Sequence, residues 1–347
     1  MTSEHTINFE TLKCSSRWVG GTVHFRPGME RMHAIQMPER ASRPNATAVL
    51  KACFSWSRQM SFRFVRQLLR RTVGRSVTLR HMYRVMRDGA FRSKAPQPTP
   101  YGFKLTGHAA MMSGTFEPVE TAIMTRLLVD ADVFVNVGAN IGYYACHALK
   151  LGCYTVAFEP LQSNADYLMR NISANGWDDR AEVFPIAVSD RQGIVELFGA
   201  GTGASLIPGW AGAPTSGGQM TPANTLDNML AGRFHGKRCL VLMDVEGFED
   251  KALAGAEDLL LRNPKPTWVV EIQEPRADWM AEMKGVGTSD VINPYFESTF
   301  KRFWDHGYEA WTFCEPSQKV TPSDVKAVMQ SGKSSFRTNM FLFRSGE

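Results

Sequence analysis

From about residue 130 the chain repeats one pattern: a short run of apolar and β-branched residues, a turn, then a longer amphipathic stretch. "VFVNV" passes through the glycine-studded "GANIG" into "YYACHALKLG". "YTVAFEP", stopped by Pro160, leads into "SNADYLMRNISANG", a helix with Ser163 as its expected cap and its close near Gly176. "EVFPIAVSD" reads as a third strand, "GIVELFG" as an extra one, "CLVLMDV" as the fourth and "TWVVEIQ" as the fifth, with a single helix "FEDKALAGAEDLLL" between the last two. The tail offers "FKRFWDHGYEAWTF" as helix, turn and strand, and "FRTNMFLF" as a final strand. Wholly apolar strands alternating with helices imply βαβ crossovers, hence a mostly parallel sheet covered on both faces. In such sheets ligands sit at the strands' carboxyl ends. Residues 199–222 are too rich in Gly and Pro for regular structure, and read either as a mobile loop over the site or as a plain surface insertion.

Composition narrows the class. With 347 residues, 44% of them hydrophobic, the chain can bury a sizeable core. No apolar run is long enough to span a membrane, and the first thirty residues lack the apolar centre of a signal peptide, so a cytoplasmic address is expected. The six cysteines form no CxxC pair or zinc-spaced cluster and read as reduced thiols, which makes the sequons at Asn45 and Asn171 chance matches. Charge divides the chain: residues 1–100 hold 18 Lys and Arg against 5 Asp and Glu, and the remainder holds 21 against 29. Residues 1–57 show no sustained periodicity and read as poorly ordered. Residues 58–104 comprise a basic amphipathic helix in "RQMSFRFVRQLLRRTVG" and a Pro-rich linker, "SKAPQPTP". That helix suits peripheral contact with an anionic surface, or packing on the main domain at 105–347. Nucleic acid is not an expected partner, because no recognised RNA-binding signature or base-methylation motif accompanies the basic segment.

The glycine turn is selective in what it can bind. A dinucleotide fold needs GxGxxG, but after Gly138 this chain has Asn140 and Tyr143 at the second and third positions, blocking close approach of a pyrophosphate. "SGKSS" has Ala327 where a phosphate loop opens with Gly. S-adenosylmethionine carries no phosphates, and its amino-acid end needs one open turn with free N–H groups. Glu159, ending the next strand, is placed to accept from both ribose hydroxyls.

"FVNVGANIGYYA", "VAFEPLQSNADYLMRNISANG", "IAVSDRQG", "TLDNML", "LMDVEGFEDKALAGA" and "VVEIQ", in this order and spacing, resemble the FkbM-family methyltransferases, and "GTFEPVETAIMTRLL" resembles their lead-in helix. The likeness covers about residues 105–345. It implies a class I methyltransferase (Rossmann-like) α/β fold: a seven-stranded mostly parallel sheet with helices on both faces and an antiparallel last strand, here with an N-terminal basic helical extension. It also implies O-methylation with S-adenosylmethionine on a sugar, glycolipid or polyketide-like metabolite. Asn136, Gly138, Asn140, Gly142 and Glu159 are the expected cofactor residues, with Ser189 and Asp190 toward the adenine. Two positions depart from the pattern: Asn136 stands where Asp is common, and Leu242 where many members carry Lys.

Methyl transfer requires in-line alignment and removal of the acceptor's proton, so a carboxylate near the methyl is expected. Asp244 is the first candidate for general base, with Glu246 and Glu249 beside it. These two glutamates, three apart at a helix start, either share a face and hold a divalent metal or favour the helix dipole. His108, Glu117 and Glu120 lie in the lead-in, and each reads first as a surface or packing residue. Asp227 either lines the acceptor pocket or caps its helix. The rival to an enzyme is a non-catalytic binding or scaffold protein that has kept the fold.

Overall fold

The computed structural model describes residues 95–210, 213–275, 293–331 and 335–346, together with the backbone of four strands nearer the N-terminus. The chain divides into two compact units, Met1–Arg70 and Arg71–Glu347. In the first, within the stretch read as poorly ordered, β1 (Glu4–Phe9), β2 (Leu12–Val19), β3 (Thr22–Arg26) and β4 (His33–Gln36) pair antiparallel in sequential order. The basic helix expected within 58–94 and the sequon at Asn45 lie outside the described residues.

Among the described residues the second unit begins with a two-residue ladder of β5 (Gln97–Pro98) and β6 (Lys104–Leu105), then helices α1 (Ala109–Ser113) and α2 (Pro118–Val129). The expected alternation follows: β7 (Val133–Val137), α3 (Tyr143–Lys150), β8 (Tyr154–Phe158), α4 (Gln162–Ser173) and β9 (Ala181–Phe184). The third strand is shorter than expected, because Pro185 has no N–H to continue the ladder. Beyond it, β10 (Ala187–Val188) joins a separate three-stranded sheet with β11 (Gly193–Leu197) and β12 (Gln219–Asn224). The Gly- and Pro-rich segment expected to be irregular therefore ends in a strand. After α5 (Leu226–Leu230) come β13 (Cys239–Met243), α6 (Glu249–Leu253), α7 (Glu257–Leu260) and β14 (Thr267–Glu271), so the helix expected to be continuous is broken at 254–256. There Gly255 packs so closely that an added Cβ would lie 2.2 Å from the Ser189 carbonyl oxygen. The chain ends with α8 (Phe296–Asp305), β15 (Tyr308–Thr312), β16 (Lys319–Val320), α9 (Pro322–Ser331) and β17 (Met340–Ser345).

The central sheet runs β16-β15-β17-β14-β13-β7-β8-β9. Strands β9, β8, β7, β13 and β14 are parallel, and β17 runs antiparallel to both its neighbours, as the resemblance implies. The strand count is corrected from seven to eight. After β15 the chain doubles back, with Gln318 N–H bonded to Thr312 Oγ1, and β16 adds itself antiparallel to the β15 edge.

Alternation along β7 splits the core between two faces. Val133, Val135 and Val137 pack with α6, α7 and α8, while Phe134 packs beneath α2 with Leu240 and Leu242. All five β7 residues are buried, as expected of a strand covered on both sides. The β17 side is anchored by aromatics: Phe303 and Phe343 stack with ring centroids 3.8 Å apart, and Trp268 meets Phe303 edge-on. Ser163 is not the α4 cap, since the helix begins at Gln162 after Leu161 without a side-chain bond. Asn171 is fully buried, its amide tied to Thr106 and the Ile141 carbonyl, which removes it as a glycosylation acceptor.

Candidate active site

The register places the site before any side chain is considered. β7 and β13 pair in step up to Val137 and Met243, so the residues that follow, Gly138 and Asp244, leave the sheet together. Asp244 N–H continues the ladder to the Val137 carbonyl at 2.9 Å. Gly138 has φ of 82°, and a Cβ there would lie 1.8 Å from the Asp244 carbonyl oxygen. Only glycine fits this position.

The turn itself is closed rather than open. Gly138 and Ala139 N–H groups both donate to the Phe158 carbonyl, Gly142 N–H to Ala139, Ile141 N–H to Asn140 Oδ1, and Asn140 N–H to Glu159 Oε2 at 2.7 Å. The expectation of free N–H groups is corrected for residues 138–142: the parallel ladder to β8 and the left-handed Asn140, with φ of 51°, consume them. Gly142, also at positive φ, lets α4 approach, since a Cβ would stand 2.4 Å from Leu168 Cδ1.

Glu159 is 5% exposed and clamps the turn from β8. Its Oε2 takes Asn140 N–H, its Oε1 takes Leu161 N–H at 2.9 Å, and Asn164 Nδ2 adds a longer bond at 3.3 Å. Burial pushes its carboxyl up to about 7 against the pull of these three bonds.

Between the strand ends lies a cleft lined by Val137, Gly138, Glu159, Asn164, Asp244 and Glu246 among others, enclosing about 580 Å³ out to bulk solvent. Asp244 is raised by burial, with a hydrogen bond to Glu271 pulling the other way; its Oδ1 is buried without a hydrogen-bond partner. Glu246 holds a left-handed backbone, φ 56°, from which its Oε2 accepts Trp210 Nε1–H at 2.8 Å and its carbonyl accepts Ser205 Oγ–H at 2.7 Å. The Gly- and Pro-rich segment is thereby pinned over the cleft at Ser205 and Trp210. Glu249 is not among the residues lining the cleft: it is 1% exposed, accepts Gly247 N–H at 2.9 Å, and is pushed by burial to about 8. Glu246 and Glu249 thus do not share a helical face, because the helix starts only at Glu249. Among the described residues no group of His, Cys, Asp and Glu is arranged to hold a metal.

The remaining candidates fall in several places. Ser189 and Asp190 follow β10, where they bond to each other at 3.1 Å and Asp190 faces Lys251; Val188 lines the cleft and they do not. Asp227 caps neither the cleft nor its own helix, a task Thr225 performs. Its carboxylate accepts the N–H groups of Asp258 and Leu259 at the start of α7. His108 is the exposed N-cap of α1, and Glu120 lies in the first turn of α2. Glu117, read first as a surface or packing residue, lies near enough to Asp244 to feel its charge. With φ of 41° it accepts Tyr144 Oη–H at 2.8 Å, and burial, aided by the nearby Asp244 charge, lifts it to about 7.

Asn136 and Leu242, the two departures from the family pattern, are direct register partners on β7 and β13, at 2% and 3% exposure. They occur at one spot, so charge is absent from both members of a neighbouring pair and no buried ion is left without a partner. Sequence reasoning missed Glu271. The rule that singles out Glu159, a carboxylate ending a buried strand, applies equally to it, but its neighbour becomes visible only in the strand order.

A family model described as the methyltransferase FkbM domain matches residues 136–310, half of the chain. Among solved structures, the methyltransferase FkbM from Methylobacillus flagellatus KT is 17% identical, with a TM-score of 0.30, over 45% of this chain and 38% of that one. The chain thus spans well under half the length of that relative. The O-methyltransferase from Bacillus cereus, solved in complex with SAH, is 10% identical over 76% and 88% of the two chains, with a TM-score of 0.38. The SAM-dependent O-methyltransferase from Thermotoga maritima is 11% identical over 67% and 66%, with a TM-score of 0.33. At these scores the structures describe a likeness and nothing more. No curated protein matches the chain.

Proposed function

The chain belongs to the FkbM methyltransferase family, and from that premise we propose that it moves a methyl group from S-adenosylmethionine to a hydroxyl oxygen of a sugar, glycolipid or polyketide-like metabolite. The observation that carries this reading is the charge of the cleft: among the described residues Glu159, Asp244 and Glu246 line it, and no Lys or Arg does. The charges a phosphate would meet there are carboxylates, whereas a cation meets complementary charge. The unpartnered Asp244 Oδ1 is an acceptor that a ligand can satisfy.

S-adenosylmethionine, when bound, supplies a methyl group already activated by its sulfonium sulfur. Gly138 and Asn140 shape the wall against which the cofactor lies, and Asn136 and Gly142 support that wall from behind. Glu159 accepts from the ribose hydroxyls through Oε2, which takes only the Asn140 N–H, whereas Oε1 already takes Leu161 and Asn164. Ser189 and Asp190 act on the adenine side through the adjoining Val188. Asp244 orients the acceptor hydroxyl and takes its proton, a contribution of about 10² to 10⁴ in rate. Glu246 ties the covering segment to the acceptor side, and Glu249 holds the loop that carries both.

Calorimetry with S-adenosylmethionine and S-adenosylhomocysteine tests the cofactor. Binding of both is expected, and silence at high micromolar concentration would sink the reading. Incubation with donor and a metabolite extract, followed by mass spectrometry for gain of one methylene, tests the acceptor class, with Asp244→Ala as the dead control.

A further inference from the structure

The register that brings Asp244 to Gly138 also brings it to a second carboxyl. β13 and β14 pair in parallel up to Met243 and Val270, so the next residues, Asp244 and Glu271, stand side by side at the strand ends, where each carboxyl feels the other. Two carboxylates held this close repel each other, which disfavours ionising both. Glu271 cannot turn away from this contact: its Oε1 accepts Gln273 Nε2–H at 2.6 Å and also takes the Asn339 amide, which enters from the start of β17. Asp244, by contrast, has a buried oxygen with no partner in the protein.

We propose that Asp244 and Glu271 form a dyad sharing one proton, in which Glu271 is the positioning residue that fixes Asp244 and holds the pair at a single negative charge. The proton belongs to the pair rather than to either member. Glu246 and Glu249 after β13, and Glu117 and Glu159 nearby, add further carboxyl charge around the dyad, and each disfavours a second negative charge there. Burial acts in the same direction.

The choice of ligand rests on the methyl-transfer reading, and there the stoichiometry is balanced. The dyad takes the acceptor's hydroxyl proton as the oxygen–carbon bond forms, and the carbon–sulfur electron pair stays with sulfur. One positive charge disappears from the donor as one negative charge disappears from the dyad. The dyad ends neutral beside a neutral thioether.

Infrared spectroscopy of the ligand-free full chain at about pH 9, where ordinary carboxyls are ionised, is expected to show the carbonyl stretch of a protonated carboxyl. Glu271→Gln should remove that dyad band and Glu274→Gln should leave it. A wild-type spectrum without the band, or a Glu271→Gln spectrum that keeps it, overturns the dyad whatever the ligand. Calorimetry gives the second readout: Glu271→Ala should weaken S-adenosylmethionine about tenfold, the usual cost of losing a supporting partner, and Glu271→Gln should recover most of that. S-adenosylhomocysteine, lacking the positive charge, should shift less than about threefold. Glu271→Gln binding no better than Glu271→Ala, with both folded by thermal melt, would refute the positioning role. Failure of both ligands to bind wild type would instead refute the methyl-transfer reading, with the infrared result still deciding the dyad.

Discussion

The two walls of the cleft use their carboxylates in opposite ways. On the β7–β8 wall, Glu159 spends both oxygens on backbone N–H groups, and the amides of residues 138–142 all have partners within the protein. On the β13–β14 wall, Asp244 keeps an oxygen without a partner and stands beside Glu271 at the strand end. The first wall is a finished structure, and the second is left with capacity to react. Substitutions should therefore cost chiefly folding stability on the first side and chiefly ligand affinity on the second.

The most severe test is Gly138→Ala, at the point where the walls touch. A Cβ at 1.8 Å from the Asp244 carbonyl oxygen cannot be accommodated without separating β7 from β13 at their ends, and φ of 82° adds strain. A loss of more than about 4 kcal/mol is expected in denaturant unfolding. A variant that melts within a few degrees of wild type would show that the walls are not locked together here.

Next in size is the seam itself. Asn136→Asp places a carboxylate beside Leu242 in an apolar layer and should cost about 3 kcal/mol near pH 8. Adding Leu242→Lys should recover about 1–2 kcal/mol through a cross-strand pair. Equal stabilities of the single and double variants would mean that the two positions are independent, and that their joint departure from the family pattern is coincidence.

Glu159→Ala strips acceptors from the N–H groups of Asn140 and Leu161, and about 2 kcal/mol is expected for the two buried donors left behind. The loss is partly offset because a buried carboxylate no longer has to be ionised. If stability is untouched while S-adenosylmethionine affinity collapses, Glu159 belongs with the reactive wall and the contrast fails.

This contrast was only half legible in the chain. The alternation of apolar strands and helices announced the parallel sheet, since burial on both faces leaves a wholly apolar strand such as Val133–Val137. Gly138, Glu159 and Asp244 were visible because glycine at a strand-to-helix turn and acids at strand ends carry local signals. Whether the turn amides were free depended on Phe158 and Glu159, some twenty residues away along the chain, and no local pattern records that. The Asp244–Glu271 contact needs strand order, and the inward turn of Glu249 needs the loop's path; both are properties of tertiary packing. β16 was missed because two residues are too few for periodicity to register.

The smallest expected effect is also the one that separates the walls by sign. In Asp244→Asn a buried charge is replaced by a neutral amide that can still bond Glu271, so stability should be unchanged or rise by up to about 1 kcal/mol. Affinity for the cationic donor should fall. The pH dependence of wild type points the same way. Glu117 and Glu159, lifted to about 7, and Glu249, lifted to about 8, hold protons more tightly in the folded chain than at their ordinary 4.5. Their contribution is complete below about 4.5 and is lost as pH rises through 7 to 8, because the unfolded chain then ionises more readily than the folded one. Thermal melts should therefore fall between those limits, and less steeply in Asp244→Asn, whose neighbours no longer ionise against its charge. A melt that climbs over that range, or an Asp244→Asn curve parallel to wild type, would place the acidic strain somewhere other than the β13–β14 wall.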